Sequence, residues 1–378
     1  MPDHMPDDLS AAGRDLREYT DELRPEYPVV RNVAGEWVLL RHAEVVAAAV
    51  DHDTFSSAVS RYLQVPNGLD GDTHTAFREA LDPFFGEDVL APHVPQFERI
   101  ATQIVADVPR GKPVDAVHDI GALFAVRAQS GWLGWPTELE GRLLAWMEHN
   151  HAATRSGDHA WMIDVADDFD EIIRSVLQPR QEAGAAAPDD LTTRLLRVEV
   201  QGRRLTDPEL VSILRNWTGG DLGSIALCVG IVLHYLATHP DLIDALRGAP
   251  DEDVDAAIDE ILRIDDPFVT NRRITTHPIR IAGQELPTGA RVKLHWTSAN
   301  RDEDVFGPDF DPVAHADDNL VYGIGKHVCP GRPLATLQLR TLVRAVLRDV
   351  PDLRLAAEEP EREVAPVGGY HRVPIILR

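Results

Sequence analysis

The stretch VYGIGKHVCPGRPLA, Val321 to Ala335, holds Cys329, one of only two cysteines in the 378-residue chain. Gly323, Gly325 and Gly331 surround it, which suits a backbone that bends tightly or lies close to something flat. The thiolate is the form of cysteine that ligates metals and attacks electrophiles, and a helix N-terminus lowers a thiol's pKa. Cys329 precedes a predicted helix over 332–349, with Lys326 and Arg332 near in sequence, so a depressed pKa is expected. A lone soft thiolate, with no second cysteine or histidine at ligand spacing, does not suit zinc. It suits the axial ligand of a haem iron, whose flat ring needs the close approach that glycines permit. A nucleophile paired with a distant histidine and a buried structural cysteine are the alternatives that these residues leave open.

The elements that would position this loop read as mainly helical. A short helix over 14–23 precedes two strand-like runs, YPVVRNV and EWVLLR, joined at Ala34–Gly35 as a hairpin. Helical spacing of apolar residues recurs over 42–50, 74–85, 93–108, 117–133, 138–153 and 160–178, with a loop at 181–190. Thr206 caps and Pro208 opens a helix that runs to Pro240, about thirty residues or roughly 45 Å, long enough to cross the molecule. Gly219, Gly220 and Gly223 lie at its centre, each costing about 1 kcal/mol against alanine, which points to close approach of a ligand. Cys228, one turn after Ser224, reads as a small buried hydrophobe. A helix ending at EILR, short strands in PIRIAG and ARVKLHW, and an irregular segment of about 25 residues lead to the cysteine loop. Strands at 352–356 and 372–377 close the chain.

Composition bounds the function. The 37 basic and 62 acidic residues leave a net charge of −25, which opposes nucleic acid and anionic membranes. Two cysteines exclude a disulfide framework and suit a reducing cytoplasm. The start, MPDHMPDDLS, carries no secretory pattern, and no uncharged apolar run reaches about 18 residues, so neither export nor a membrane span is expected. Acidic runs such as DVADDFDEII read as solvated faces. His149, His151 and His159 lack the spacing of a known ligand set and read as ordinary residues rather than a metal site.

Tyr322-Gly323-x-Gly325-x-His327-x-Cys329-x-Gly331-x-x-Leu334-Ala335 resembles the haem-binding loop of cytochrome P450 monooxygenases, with tyrosine for the usual phenylalanine. Glu260 and Arg263 in EILR match the family's Glu-x-x-Arg pair. His74 and Arg78 in HTAFR, with Arg273 and His327, resemble its haem-propionate ligands. The resemblance spans about residues 10–378. It implies the family's mainly helical fold with small β-sheets, a long central helix over haem b, and one domain over 1–378, with residues 1–10 expected to be disordered. It implies haem contacts from His74, Arg78, Gly219, Gly220, Arg273, Tyr322, His327 and Gly331, with Cys329 on the metal.

The same resemblance implies a monooxygenase that inserts one oxygen atom into a small organic substrate, with electrons from a ferredoxin and its reductase. It is expected to be monomeric and cytoplasmic, and to serve secondary metabolism. The pocket would be lined by SRYLQVPNGLDG, the central helix, Val269, Thr270 and the turn PVGGY, with Arg215 and Thr218 as polar contacts. Facing the haem, Arg215 would anchor a carboxylate or phenolate; the alternative is that it turns to solvent or to a buried acid. Lys326, Arg332, Arg340, Arg344 and Arg348 would form the ferredoxin-docking face. Two departures stand out. Ala314 replaces the arginine that completes the Glu-x-x-Arg network, and His315 beside it is the substitute. The family's acid–threonine pair, which organises water for proton delivery to dioxygen, falls on Leu222 and Gly223. Asp221, Gly223 and Ser224 are therefore the candidate relay, reached through a local kink or held water. Peroxide-driven oxygenation, redox-neutral chemistry and a non-enzymatic haem sensor are the other readings.

Overall fold

The computed structural model describes Met5 and residues 14–378; the expectation for residues 1–10 lies, Met5 aside, outside them. The chain begins with α1 (Leu16–Leu23), β1 (Val29–Arg31), β2 (Trp37–Leu39), α2 (His42–Val50), β3 (Phe55–Ser56) and α3 (Gly71–Leu81). Next come α4 (Glu87–Leu90), α5 (Val94–Asp107), β4 (Pro113–Asp115), a π-helical turn (Ala116–Ala122) continuing into α6 (Leu123–Leu133), α7 (Glu140–Ser156), α8 (His159–Ala183) and α9 (Leu191–Leu195). After the short pair β5 (Glu199–Val200) and β6 (Arg203–Arg204) stand α10 (Asp207–Trp217), α11 (Gly219–Thr238), α12 (Pro240–Arg247) and α13 (Asp251–Ile264). The last third holds β7 (Thr270–Thr275), β8 (Ile279–Ile281), β9 (Gln284–Leu286), β10 (Arg291–His295), α14 (Trp296–Ala299), α15 (Arg332–Asp349), β11 (Leu353–Leu355), β12 (Glu361–Arg362), β13 (Tyr370–Arg372) and β14 (Pro374–Leu377).

Helices form one body and the main sheet flanks it. That sheet has the order β1-β2-β10-β7-β3, with β10 parallel to β2 and the other pairs antiparallel. The hairpin is in register Val30↔Val38, as its sequence suggests. β7 was not foreseen, because TNRRIT lacks the alternation of a half-buried strand. The large apolar core gathers around α11, whose Ile225, Ala226, Val229, Ile231, Val232, Leu233 and Leu236 are buried.

The long central helix is not continuous. Its start is as expected: Glu209 accepts from the Thr206 backbone N–H at 2.7 Å in a capping box, and Pro208 occupies the first turn. At Thr218, however, the backbone leaves the helical region (φ −128°, ψ −72°), and the Thr218 hydroxyl donates back to the Leu214 carbonyl. Such back-bonding bends helices, and Gly219 and Gly220 directly after it add little helical preference. The Leu222 N–H to Thr218 carbonyl bond, 2.7 Å, restarts the helix. A window within Asp207–Thr238 is long and apolar enough to cross a membrane by length and composition alone, but 61% of it is buried within the molecule, as in the core helix of a folded domain.

Candidate active site

Cys329 is carried on a tight loop between the irregular segment and α15. Gly323 (φ +69°) and Gly325 (φ +75°) take left-handed conformations there, and a Cβ at Gly325 would meet the backbone of Val50 at 3.3 Å. The Cys329 N–H donates to the Tyr322 carbonyl at 2.8 Å and closes the loop. The N–H groups of Gly331 and Arg332 face the sulfur, as a stabilised thiolate requires. Even so, burial pushes the thiol up to about 11, with Asp221 adding to the rise. This corrects the expectation of a depressed pKa: desolvation outweighs the helix N-terminus and the nearby cations, and a positive metal ion is what would hold the thiolate.

Across from the loop lies a cavity of about 340 Å³, lined among others by Arg78, Asp221, Ser224, Cys228, Arg273, Tyr322, His327 and Cys329. Cys228 is therefore a buried wall residue, and burial pushes its thiol well above the ordinary range. Tyr322 is covered by the Arg332 guanidinium at 5.1 Å from its ring centre.

The propionate candidates converge. His74 and His327 place their rings 4.2 Å apart, and both are held neutral, at about 4 and about 3, chiefly by burial. His327 Nε2 lies 3.1 Å from the Ser57 hydroxyl. Arg78 ties α3 to the cysteine loop, donating to the Val328 carbonyl at 2.9 Å and to Asp82 at 2.6 Å. Arg273 is buried with no ion pair among the described residues; its one hydrogen bond goes to the Arg272 carbonyl, and burial lowers its pKa. His74 Nδ1 is likewise buried without a partner. Buried cations and unpaired donors beside a cavity are costly unless anions meet them, and the two carboxylates of a bound haem b would do so. The thiol faced by two N–H groups completes a donor set that fits the group.

The candidate relay residues separate. Asp221 and Ser224 line the cavity that contains Cys329, because the break at Thr218 turns α11 onto the face 221, 224, 225, 228. Gly223 does not face it. A Cβ there would point at His151 of α7, 3.1 Å from Nε2. Gly219 packs under Trp146 and Phe169, and Gly220 opens onto free space. The close approach that demanded Gly219 and Gly223 is thus made by α7 and α8, which corrects their assignment to the ligand face. Burial raises the Asp221 carboxyl to about 7, partly opposed by the Gln129 amide, which donates to it at 3.2 Å. Gln338 Nε2 in turn donates to Gln129 Oε1 at 3.2 Å. Ser224 donates to the Gly220 carbonyl at 2.6 Å.

The four substrate candidates lie elsewhere. Arg215 is ion-paired with Asp170 on α8 and faces a groove with Tyr62 and Leu63, so it is no anchor in the cavity. Thr218 is buried and bonded to Leu214. Val269 lines a second cavity beside Asp265 and Gly368, and Thr270 lines neither cavity. Phe268 and Asn271 reach the main cavity instead, because the chain entering β7 turns their side chains inward. Asn67 comes from the segment before α3, whereas Gly368 and Gly369 pack on Val269 and Ile231 outside the cavity.

Supporting contacts hold the frame. Glu260 and Arg263 form two bonds of 2.7 and 2.8 Å, Arg263 donates to the Asn300 carbonyl at 2.6 Å, and His315 Nδ1 meets Glu260 at 2.8 Å. His315 thus takes the third place in the network. The expected docking face is not free. Arg332 pairs with Asp259, Arg340 with Asp251 and Asp255, Arg344 with Asp251, Arg348 with Asp349, and Lys326 donates to the Gly71 carbonyl.

Comparison with known proteins agrees with this geometry. The family model "Cytochrome P450" matches residues 143–350, more than half of the chain. A steroid C26-monooxygenase of Mycolicibacterium smegmatis is 31% identical over 96% of this chain and 92% of its own. The cyclomarin C epoxidase CymV of Salinispora arenicola is 29% identical over 86% and 87%. The solved structure of cytochrome P450 CYP109Q5 from Chondromyces apiculatus superposes with a TM-score of 0.86 at 22% identity, covering 100% of this chain and 99% of that one. A cysteine loop and a cluster of cations and histidines around one cavity, and a Glu-Arg-His brace, together with these matches, place the chain in the cytochrome P450 family, as a haem-thiolate monooxygenase.

Proposed function

We propose that this monooxygenase uses dioxygen, takes electrons from a ferredoxin and its reductase, and hydroxylates or epoxidises a small organic substrate of secondary metabolism. The observation that carries the reading is that Asp221 and Ser224 share one cavity with Cys329. Bound through Cys329, haem b supplies the oxidising chemistry. Arg78, Arg273, His74 and His327 would hold its propionates and fix its plane. Asp221, half ionised near neutral pH, and the Ser224 hydroxyl deliver protons. Phe268, Asn271 and Asn67 shape the substrate side with one apolar and two amide surfaces. The names of relatives, an epoxidase acting on cyclomarin C and an erythromycin C-12 hydroxylase, support secondary metabolism. Two free cysteines are consistent with a reducing compartment.

The test is parallel turnover of the purified holoenzyme with a panel of small phenols and aromatic carboxylic acids. One arm contains ferredoxin, reductase and NADPH, the other hydrogen peroxide alone. Product with the electron chain, with only a slower peroxide shunt beside it, is expected, and product with peroxide but none with the electron chain would replace this reading with peroxygenase chemistry. A reduced carbon-monoxide band at the thiolate position, lost in Cys329→Ser, checks the ligand independently.

A further inference from the structure

Monooxygenation consumes two protons and two electrons. The O–O bond breaks, one oxygen enters a C–H bond of the substrate, and the other leaves as water. The electrons come from the one-electron carrier; the protons must cross the protein to the cavity. On α11, Gly223 is the position between Asp221 and Ser224 that turns away from the cavity and carries no side chain. Behind it stands the imidazole of His151, on α7, with Nε2 3.1 Å from where a Cβ at 223 would lie. That ring is half-buried and makes no hydrogen bond among the described residues.

His151 also lines a separate cavity of about 160 Å³, together with His118, Asp119, Glu148 and Ala226, room enough for several waters. The His118 side chain is 34% exposed, which opens this cavity toward solvent. Beyond the ring lies a charged cluster. Arg155 donates to Glu363 at 2.7 Å and approaches His371 at 3.3 Å, and the His118 and His371 rings meet edge to face. The groups facing His151 are therefore Arg155 and Glu148 from its own helix, His118 and Asp119 from the π-helical turn, and Glu363 and His371 from the β12–β13 hairpin. α11 contributes only the uncharged Gly223 and Ala226.

We propose that His151 is a proton-relay residue of this enzyme, passing solvent protons from the side cavity, through water at Gly223, to the Ser224 hydroxyl and so to dioxygen in the main cavity. The proposal rests on the dioxygen reading above. A neutral imidazole does this by accepting at one ring nitrogen and releasing from the other. Burial, with Arg155 and the neighbouring histidines, lowers the ring's pKa, and Glu363 opposes them, so the ring is neutral at pH 7. His151 acts through water and Ser224, which makes it a positioning residue for proton delivery. The competing account is that the ring merely fills the space over Gly223.

The experiment uses the holoenzyme and the substrate of the phenol and aromatic-acid panel that the wild type turns over, in His151→Phe and His151→Asp. With the electron chain, His151→Phe is expected to lower product per NADPH by about tenfold or more, with the difference released as hydrogen peroxide. With peroxide as sole oxidant its yield should be unchanged, because peroxide brings its own two protons. His151→Asp, which restores a proton carrier, should recover coupling. Independently of turnover, the His151 ring nitrogens, followed by NMR in the reduced carbon-monoxide form, should titrate below the ordinary histidine range and shift in His118→Leu. Wild-type coupling in His151→Phe, or a parallel loss in both arms, would overturn the proposal, as would a ring that does not titrate. A wild type that turns a substrate over with peroxide but not with the electron chain would instead overturn the dioxygen reading, and the titration would still decide whether His151 exchanges protons with the side cavity.

Discussion

At the residue scale, Asp221 is the group whose environment departs most usefully from solution. Its carboxyl is raised to about 7 by burial, against an ordinary value near 3.8. The folded state therefore binds its proton more tightly than the unfolded state. The sign follows: Asp221 has no destabilising effect below about pH 4, and destabilises increasingly as pH rises toward 7. Asp221→Asn removes that titration. The variant should melt with wild type near pH 4 and above it at pH 8, with a difference of at most a few kcal/mol. Thermal melts across pH check this; a wild-type advantage at pH 8 would mean that Asp221 is ionised and stabilised by a cation. In turnover, the same variant should lose the limb near pH 7 from the pH profile of coupling, while Ser224→Ala lowers coupling without moving that limb.

At the scale of elements, the cysteine loop depends on the brace Glu260–Arg263–His315. Glu260 and Arg263 are 1% and 4% exposed, so removing one partner leaves a buried charge without its counterion. Arg263→Ala should cost about 3–5 kcal/mol, read as lowered denaturant midpoint and haem occupancy. His315→Ala should cost less, since Arg263 still holds Glu260. Gly219→Ala tests the glycine face of α11: its Cβ would lie 3.0 Å from Phe169, and overpacking of about 1–3 kcal/mol is expected. A gain in stability there would mean that the cost is only helix propensity.

These elements also show what was legible beforehand. The helix 332–349 and the cysteine loop were readable because capping and turn chemistry are local. The kink at Thr218 was not, since it depends on a back-bond and on glycines fitted to Trp146, Phe169 and His151, about 50 to 75 residues away in sequence. That kink decides which of Asp221, Gly223 and Ser224 meets the cavity. The spacing of His151 to His149 and His159 matches no ligand set; its placement is a tertiary fact, and in the sequence only the bare Gly223 hints that a partner fills the space. Arg215 takes the second of the two roles its sequence leaves open, pairing with the acid Asp170, and spacing along the chain cannot decide between them because Asp170 lies on another helix.

At the scale of the whole molecule, the net charge of −25 governs how an electron donor arrives. The arginines behind Cys329 are paired with Asp251, Asp255, Asp259 and Asp349, which leaves Lys326, bonded to the Gly71 carbonyl, as the cation of this face without an acidic partner among the described residues. If the donor is an acidic ferredoxin, as proposed, it approaches against net repulsion, with short-range contacts rather than steering fixing the complex. Salt screens that repulsion over a Debye length of about 8 Å at physiological ionic strength. The second-order rate of reduction by ferredoxin should consequently rise as ionic strength increases from about 0.01 to 0.3 M, where a basic docking face would make it fall. Stopped-flow reduction across that range decides the sign. Asp255→Asn removes one negative charge and one of the two acidic partners of Arg340, so it should raise the rate at low salt and flatten the rise. A rate that falls with salt in the wild type would show that a positive patch elsewhere on the surface, rather than the arginines of α15, receives the donor.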